Sequence, residues 1–185
     1  TFSRTFDVTV NPVNDLPLLD ALSNVTVEED VSEQTVDLAG IGAGGGESQP
    51  LRVTASSSDT GLIPDPTVTY TSANSTGSIA FTPVSDQNGT ATITVTVEDG
   101  GIDGDLNTAG DNATFSRTFD VTVNAVNDLP LLDTPSNVVV DEDAAEQTVN
   151  LAGIGAGGGE SQPLRVTASS SDAGLIPDPT VTYTS

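Results

Sequence analysis

The chain contains no cysteine, histidine, methionine, tryptophan or lysine, and its only cations are Arg4, Arg52, Arg117 and Arg165. These absences exclude disulfides, thiol nucleophiles, histidine general bases, lysine Schiff bases and every metal site built on imidazole or thiolate. Only oxygen ligands and carboxylate chemistry remain. Against the four arginines stand 27 Asp and Glu, a formal net charge of −23. That balance excludes a phosphate-backbone partner, which needs clustered cations to displace counterions, so no nucleic acid is expected. No apolar run approaches the roughly 18 residues of a membrane-crossing helix. Aromatic residues make up 4% and hydrophobic residues 35% of the 185 positions. This is lean, but the length suffices for one or two ordinary domains.

What is present repeats. TFSRTFDVTVN at residues 1–11 returns at 114–124, and the match continues without a gap to residue 185, with 63 of 72 aligned positions identical. A period of 113 residues is a whole domain, because solenoid repeats run roughly 20 to 50 residues. Near-identity of this order is the mark of tandem duplication, and the window is expected to be a piece of a longer array.

Within the repeat the hydrophobic period is two. Thr90–Val97 alternates threonine with Ala91, Ile93, Val95 and Val97, which gives a strand with one buried and one wet face. The same alternation marks Phe6-Val8-Val10, Val25-Val27, Val36-Leu38, Leu51-Val53-Ala55, Val68-Tyr70 and Ile79-Phe81. Each is bounded by Gly, Pro, Asn or Asp clusters. Seven short strands per repeat without a helical period predict an all-β fold of tandem seven-stranded antiparallel Greek-key β-sandwiches. Val13-Asn14-Asp15-Leu16-Pro17, repeated as Val126-Asn127-Asp128-Leu129-Pro130, reads as a short proline-stiffened linker. Residues 1–13 are then the last strand of a preceding repeat, 14–126 one complete repeat, and 127–185 the incomplete first part of the next.

TATITVTVEDGG, a variable loop and FSRTFDVTVNAVNDLP resemble the last two strands and linker of cadherin-like repeats, and VTVEED or VVVDED resembles the acidic end of their first strand. The closest resemblance is to the tandem cadherin-like or Ig-like repeats of giant bacterial surface proteins and adhesins. It implies an extracellular, cell-surface location, neighbouring repeats or identical chains as partners, and calcium held between successive domains by carboxylates from both. The chain departs from the pattern where the linker lacks its leading Asp and where the loop after the second strand carries only Glu47.

The residues themselves offer calcium the oxygen ligands it requires. An up-and-down strand order brings the loops 40–50 and 98–112 to the end that carries Asn14 and Asp15, so that Asp15, Glu47 and Asp99 can converge. At the opposite end Glu29, Asp30 and Asp86 are expected near Asn127 and Asp128, with Glu160 arriving from the next repeat. Asp103-x-Asp105-x-Asn107, followed by Asp111, has the alternate-residue spacing of a calcium loop, although Thr108 stands where an EF-hand has glycine. The alternative is that all these acids are solvated turn residues.

Other signals lead nowhere. Gly40-x-Gly42-x-x-Gly45 fits the dinucleotide fingerprint in form, but Gly46-Glu47-Ser48-Gln49-Pro50 opens no helix, and a flexible loop explains the glycines. Asn24, Asn74, Asn88 and Asn112 begin glycosylation sequons of a kind that arises by chance in a threonine-rich chain. Tyr70 and Tyr183 fall on the inward phase of a strand. The expected function is a non-catalytic stalk or spacer repeat of an extracellular fibre or adhesin, with calcium at its junctions. The alternative is a carbohydrate-binding cadherin-like module that recognises surface glycans, for which exposed aromatic residues are wanting.

Overall fold

The computed structural model describes residues 1–108 and 110–184. They form two compact units, Thr1–Ala125 and Val126–Ser185. All named strands lie in the first: β1 (Val25–Glu28), β2 (Gln34–Ala39), β3 (Leu51–Ser57), β4 (Thr67–Thr69), β5 (Thr76–Phe81), β6 (Gly89–Asp99) and β7 (Thr114–Asn124). They make a four-stranded sheet in the order β1-β7-β6-β3 and a three-stranded sheet in the order β2-β5-β4. The chain is all-β, and no helix among the described residues is long and apolar enough to cross a membrane.

Period two becomes layered packing. Ala91, Ile93, Val95 and Val97 of β6 point inward and meet Phe119, Val121 and Val123 of β7, and these face Leu38, Ile79 and Phe81 of the other sheet. Burying each large aliphatic side chain in this set contributes about 1.5–3 kcal/mol. The intervening threonines face outward, where Thr96 and Ser116 share a hydrogen bond of 2.8 Å and Thr92 donates to Asp120 at 2.8 Å. These cross-strand polar pairs fix register without using lysine.

One pairing departs from the wholly antiparallel expectation. β1 runs parallel to β7, Val25 opposite Val121 and Glu28 opposite Asn124, while the other ladders are antiparallel. A parallel pair needs a long crossover. Here the crossover is most of the sandwich itself, since β1 and β7 are its first and last strands.

Two stretches of predicted strand form none. Residues 1–11, identical to β7, are exposed along their length, Phe2, Phe6, Val8 and Val10 included. Among the described residues of the second unit only an isolated bridge between Leu131 and Gly155 is made. The reason is partnership. β7 is a strand because β6 and β1 flank it, and a strand that finds no neighbour has nowhere to place its backbone hydrogen bonds.

Candidate metal site

The end of the first unit that carries Asn14 is assembled from three segments. β6 ends at Asp99, the chain loops through 100–113, and β7 begins at Thr114. The loop 40–50 arrives from β2, and the linker crosses over both. Asp99 lies on the inward phase of β6 and is 0% exposed. Its Oδ1 accepts three hydrogen bonds: from Asn14 Nδ2 at 3.0 Å, Gly101 N at 3.0 Å and Ala113 N at 2.9 Å. Its Oδ2 is buried and has no hydrogen-bond partner. A buried carboxylate oxygen without a donor is costly, and a cation is one way of satisfying it.

Asn14, Asp15, Glu47 and Asp99 are linked by hydrogen bonds within this unit, but among the described residues the carboxylates of Asp15, Glu47 and Asp99 do not bring ligand atoms within 4.8 Å of one another. Asn14 Nδ2 also donates to the Asp111 carbonyl at 3.0 Å, and the Asp15 amide donates to Glu47 Oε2 at 3.2 Å. Gln49, which the sequence reading missed, joins the group by donating to Asn14 Oδ1 and, at 3.3 Å, to Glu47 Oε2. Its position two residues after Glu47 was the available signal, since alternate residues of an extended segment share a face. Asn112 lies next to this group. Its Nδ2 donates to Glu98 Oε1 at 3.2 Å, while its Oδ1 is buried without a hydrogen-bond partner.

The glycines of the loop 40–50 are not a flexible tether. Gly44 has φ +88°, and a Cβ there would fall 2.2 Å from the Leu16 carbonyl oxygen; Gly45 has φ +49°, and its Cβ would strike the Asp15 carboxylate. Glycine is needed because the linker rests on this turn.

At the other end of the first unit, Asp30 and Asp86 come together. Both adopt positive φ, 62° and 57°, and the Asp86 amide donates to Asp30 Oδ1 at 3.2 Å. Glu29 beside them is buried, and its amide donates to the Asn124 carbonyl at 2.9 Å. Asn127, Asp128 and Glu160 belong to the second unit. There the Asp128 amide donates to Glu160 Oε2 at 3.1 Å and Asn127 Nδ2 to the Asp128 carbonyl at 2.9 Å.

The acids of the 103–111 loop are engaged with the loop itself. Asp103 Oδ1 accepts from the Asp105 amide at 2.9 Å, Asp103 Oδ2 from the Thr108 hydroxyl at 2.6 Å, and Asp105 Oδ1 from both nitrogens of Asn107. Asp111 Oδ2 accepts from the amides of Ile102 and Asp103. The Thr108 hydroxyl, and after it the Asp105 amide, hold the Asp103 carboxyl below its ordinary pKa. Among the described residues, no three acidic side chains of this loop bring ligand atoms within 4.8 Å of one another. The spacing that suggests a calcium loop produces a run of side-chain-capped turns.

Tyr70 is half-buried against the core and donates from its hydroxyl to the Asn74 carbonyl at 3.0 Å. Arg52 pairs with Glu98 across the outer face, and Arg117 stacks over Phe115 at 4.8 Å and donates to the Leu19 carbonyl at 3.3 Å.

No protein-family model matches the chain, and no curated protein matches it either. Among solved structures it is similar to domains 4 and 5 of the S-layer protein SbsC, at 19% identity over 64% of this chain and 49% of that one, with a TM-score of 0.41. It is also similar to the titin domains z1z2 in complex with telethonin, at 15% identity over 67% and 55% of the two chains, with a TM-score of 0.38. The ASH/PapD-like domain of human CEP192 matches at 13% identity over 68% of this chain and 97% of that one, with a TM-score of 0.38. The chain spans about half the length of the first two structures.

Proposed function

We propose that the chain is a segment of a non-catalytic spacer array on a cell surface, in which calcium bound at the ends of the sandwiches stiffens each repeat. The observation that carries the metal part is Asp99, fully buried at the linker end with one oxygen saturated by three donors and the other without any. Asp99 Oδ2 would be the anchoring ligand, with carboxylate, amide and carbonyl oxygens of the neighbouring segments and water completing the shell. All are of the class calcium prefers. The spacer part rests on the repetition itself and on a composition without histidine, cysteine or lysine.

Calcium titrated calorimetrically into the chain should bind with a dissociation constant of about 10⁻⁴ to 10⁻³ M, the range of extracellular modules. At ten times that concentration the native state gains about 1.4 kcal/mol per site, seen as a higher melting temperature that a chelator reverses. Asp99→Asn keeps the shape and removes the charge, and it should abolish both effects. A titration and melting curve indifferent to calcium, or unaltered in Asp99→Asn, would refute the metal reading. Turnover of a polysaccharide, peptide or ester that disappears on changing one acid in a folded chain would refute the non-catalytic one.

A further inference from the structure

We infer that the linker, from Asn14 onward, is an integral part of the sandwich that follows it, and that this attachment is made by hydrogen bonds without a cation. Asn14 is bonded through both side-chain atoms. Its nitrogen donates to Asp99 Oδ1 and to the Asp111 carbonyl, each at 3.0 Å, and its oxygen accepts from Gln49. The next residue donates its amide to Glu47, at 3.2 Å. Asp15 and Leu16 then lie against the side-chain-free surface of Gly44 and Gly45. Pro17 is fully buried, Leu18 exchanges two backbone hydrogen bonds with Gly42 at 2.8 and 3.3 Å, Leu19 enters the core, and the Asp20 amide reaches the Ala39 carbonyl at 3.0 Å. Every residue from 14 to 20 is thus bonded, buried or seated on a turn that only glycine permits.

The change is abrupt. Pro12 and Val13 are exposed, as is the whole stretch before them. The second copy repeats part of the clasp with most of its strands unformed. Asp128 N donates to Glu160 at 3.1 Å, Leu131 and Gly155 exchange bonds at 2.8 and 3.2 Å, and Asp133 N reaches the Ala152 carbonyl at 2.9 Å. A clasp that forms without a complete sandwich is a local device. It places the bend upstream of Asn14, among the exposed residues that end at Pro12 and Val13. Proline fixes φ at position 12 and alanine does not at its counterpart, Ala125, so the two copies differ in backbone freedom at that position.

This inference is independent of the metal reading, because its test is made in chelator. Backbone amide exchange and ¹⁵N heteronuclear NOEs are measured on the full chain with chelator and again with calcium. In chelator, the non-proline residues of Asn14–Asp20 should show NOEs equal to those of β6, with the non-proline residues of Phe2–Val13 well below them. Asn14→Ala should speed exchange of the Asp15 amide at least tenfold and lower the NOEs of residues 14–16, with the β6 amides unchanged. Val13→Ala should do neither. If residues 14–16 are as mobile as 8–13 in chelator and become ordered only with calcium, the clasp is made by metal and the inference is wrong. An Asp15 amide indifferent to Asn14→Ala overturns it equally.

Discussion

Residues 14–72 and 127–185 are nearly the same sequence and have different fates. Ile63 is 0% exposed and its counterpart Ile176 51%, Leu62 5% against 76% for Leu175, and Leu38 1% against 36% for Leu151. The nine substitutions across the whole repeat do not explain this, because they fall outside these positions. What differs is the presence of β5, β6 and β7. In the first copy β5 supplies the central strand of one sheet, β6 and β7 the two central strands of the other. Without them the four leading strands have neither partners for their edges nor a surface for their apolar face.

What survives in the second copy is equally instructive. Asp172 Oδ1 accepts from the amides of Gly174 and Leu175 at 3.0 and 3.2 Å, as Asp59 does from Gly61 and Leu62 at 3.0 and 3.3 Å. Ser170 N donates to Asp178 at 2.8 Å, as Ser57 N does to Asp65 at 2.8 Å. Asp143 keeps the positive φ of Asp30. Turns written by neighbouring residues form in either context; strands do not.

The largest break in this comparison would come from supplying what is missing. A chain extended beyond residue 185 by a second copy of residues 73–124 should gain a second cooperative thermal transition, seen by calorimetry, with a midpoint close to that of the first. The isolated 127–185 segment should show none at low concentration. A cooperative transition in that segment would mean that four strands suffice.

Matched core truncations sharpen the comparison on a smaller scale. Ile63→Ala should cost about 2–5 kcal/mol in denaturant unfolding, as removing a buried aliphatic side chain does. Ile176→Ala should fall within about 0.5 kcal/mol, as an exposed substitution does. Equal costs would show that the second copy is packed as well as the first.

The period-two pattern was enough to place β1 to β7, because alternation reports which face meets the core and needs no knowledge of the neighbour. Strand order was not legible in the same way. Nothing in Val25-Thr26-Val27-Glu28 tells that its partner lies 96 residues away and runs parallel, since that pairing depends on the path of the intervening chain. At the linker end, Asp99 and Asn14 could be brought together from the up-and-down alternation of strand direction alone. That Asp99 is wholly buried, and that Gly44 and Gly45 form the seat of the linker, required the packed structure. The Asp103-Asp105-Asn107 spacing gave oxygens on alternate residues, and in the structure backbone amides and the Thr108 hydroxyl hydrogen-bond them.

The smallest expected effect isolates such local chemistry. Asp103 titrates below its ordinary range because Thr108 and Asp105 hydrogen-bond its ionised form. A lowered pKa in the folded state adds stability above the ordinary carboxylate range, and that contribution is lost as pH falls through the lowered value. Thr108→Ala should move the Asp103 titration, followed by NMR, back toward the ordinary value. Deleting residues 127–185 should leave it where it is. A titration that responded to the deletion would show that the loop depends on the second unit.

The parallel pairing of β1 with β7 has a consequence for how a repeat answers tension. The chain enters the sandwich at the Asn14 end and leaves beyond Asn124 at the end that carries Glu28. A pull along the chain therefore drags the two strands past each other lengthwise, and the bonds between residues 25–28 and 121–124 are strained together. A hairpin opened from its free ends breaks its bonds one after another. Sliding requires the whole patch to yield at once, so the repeat resists extension as a block up to a threshold and then gives way in a single event.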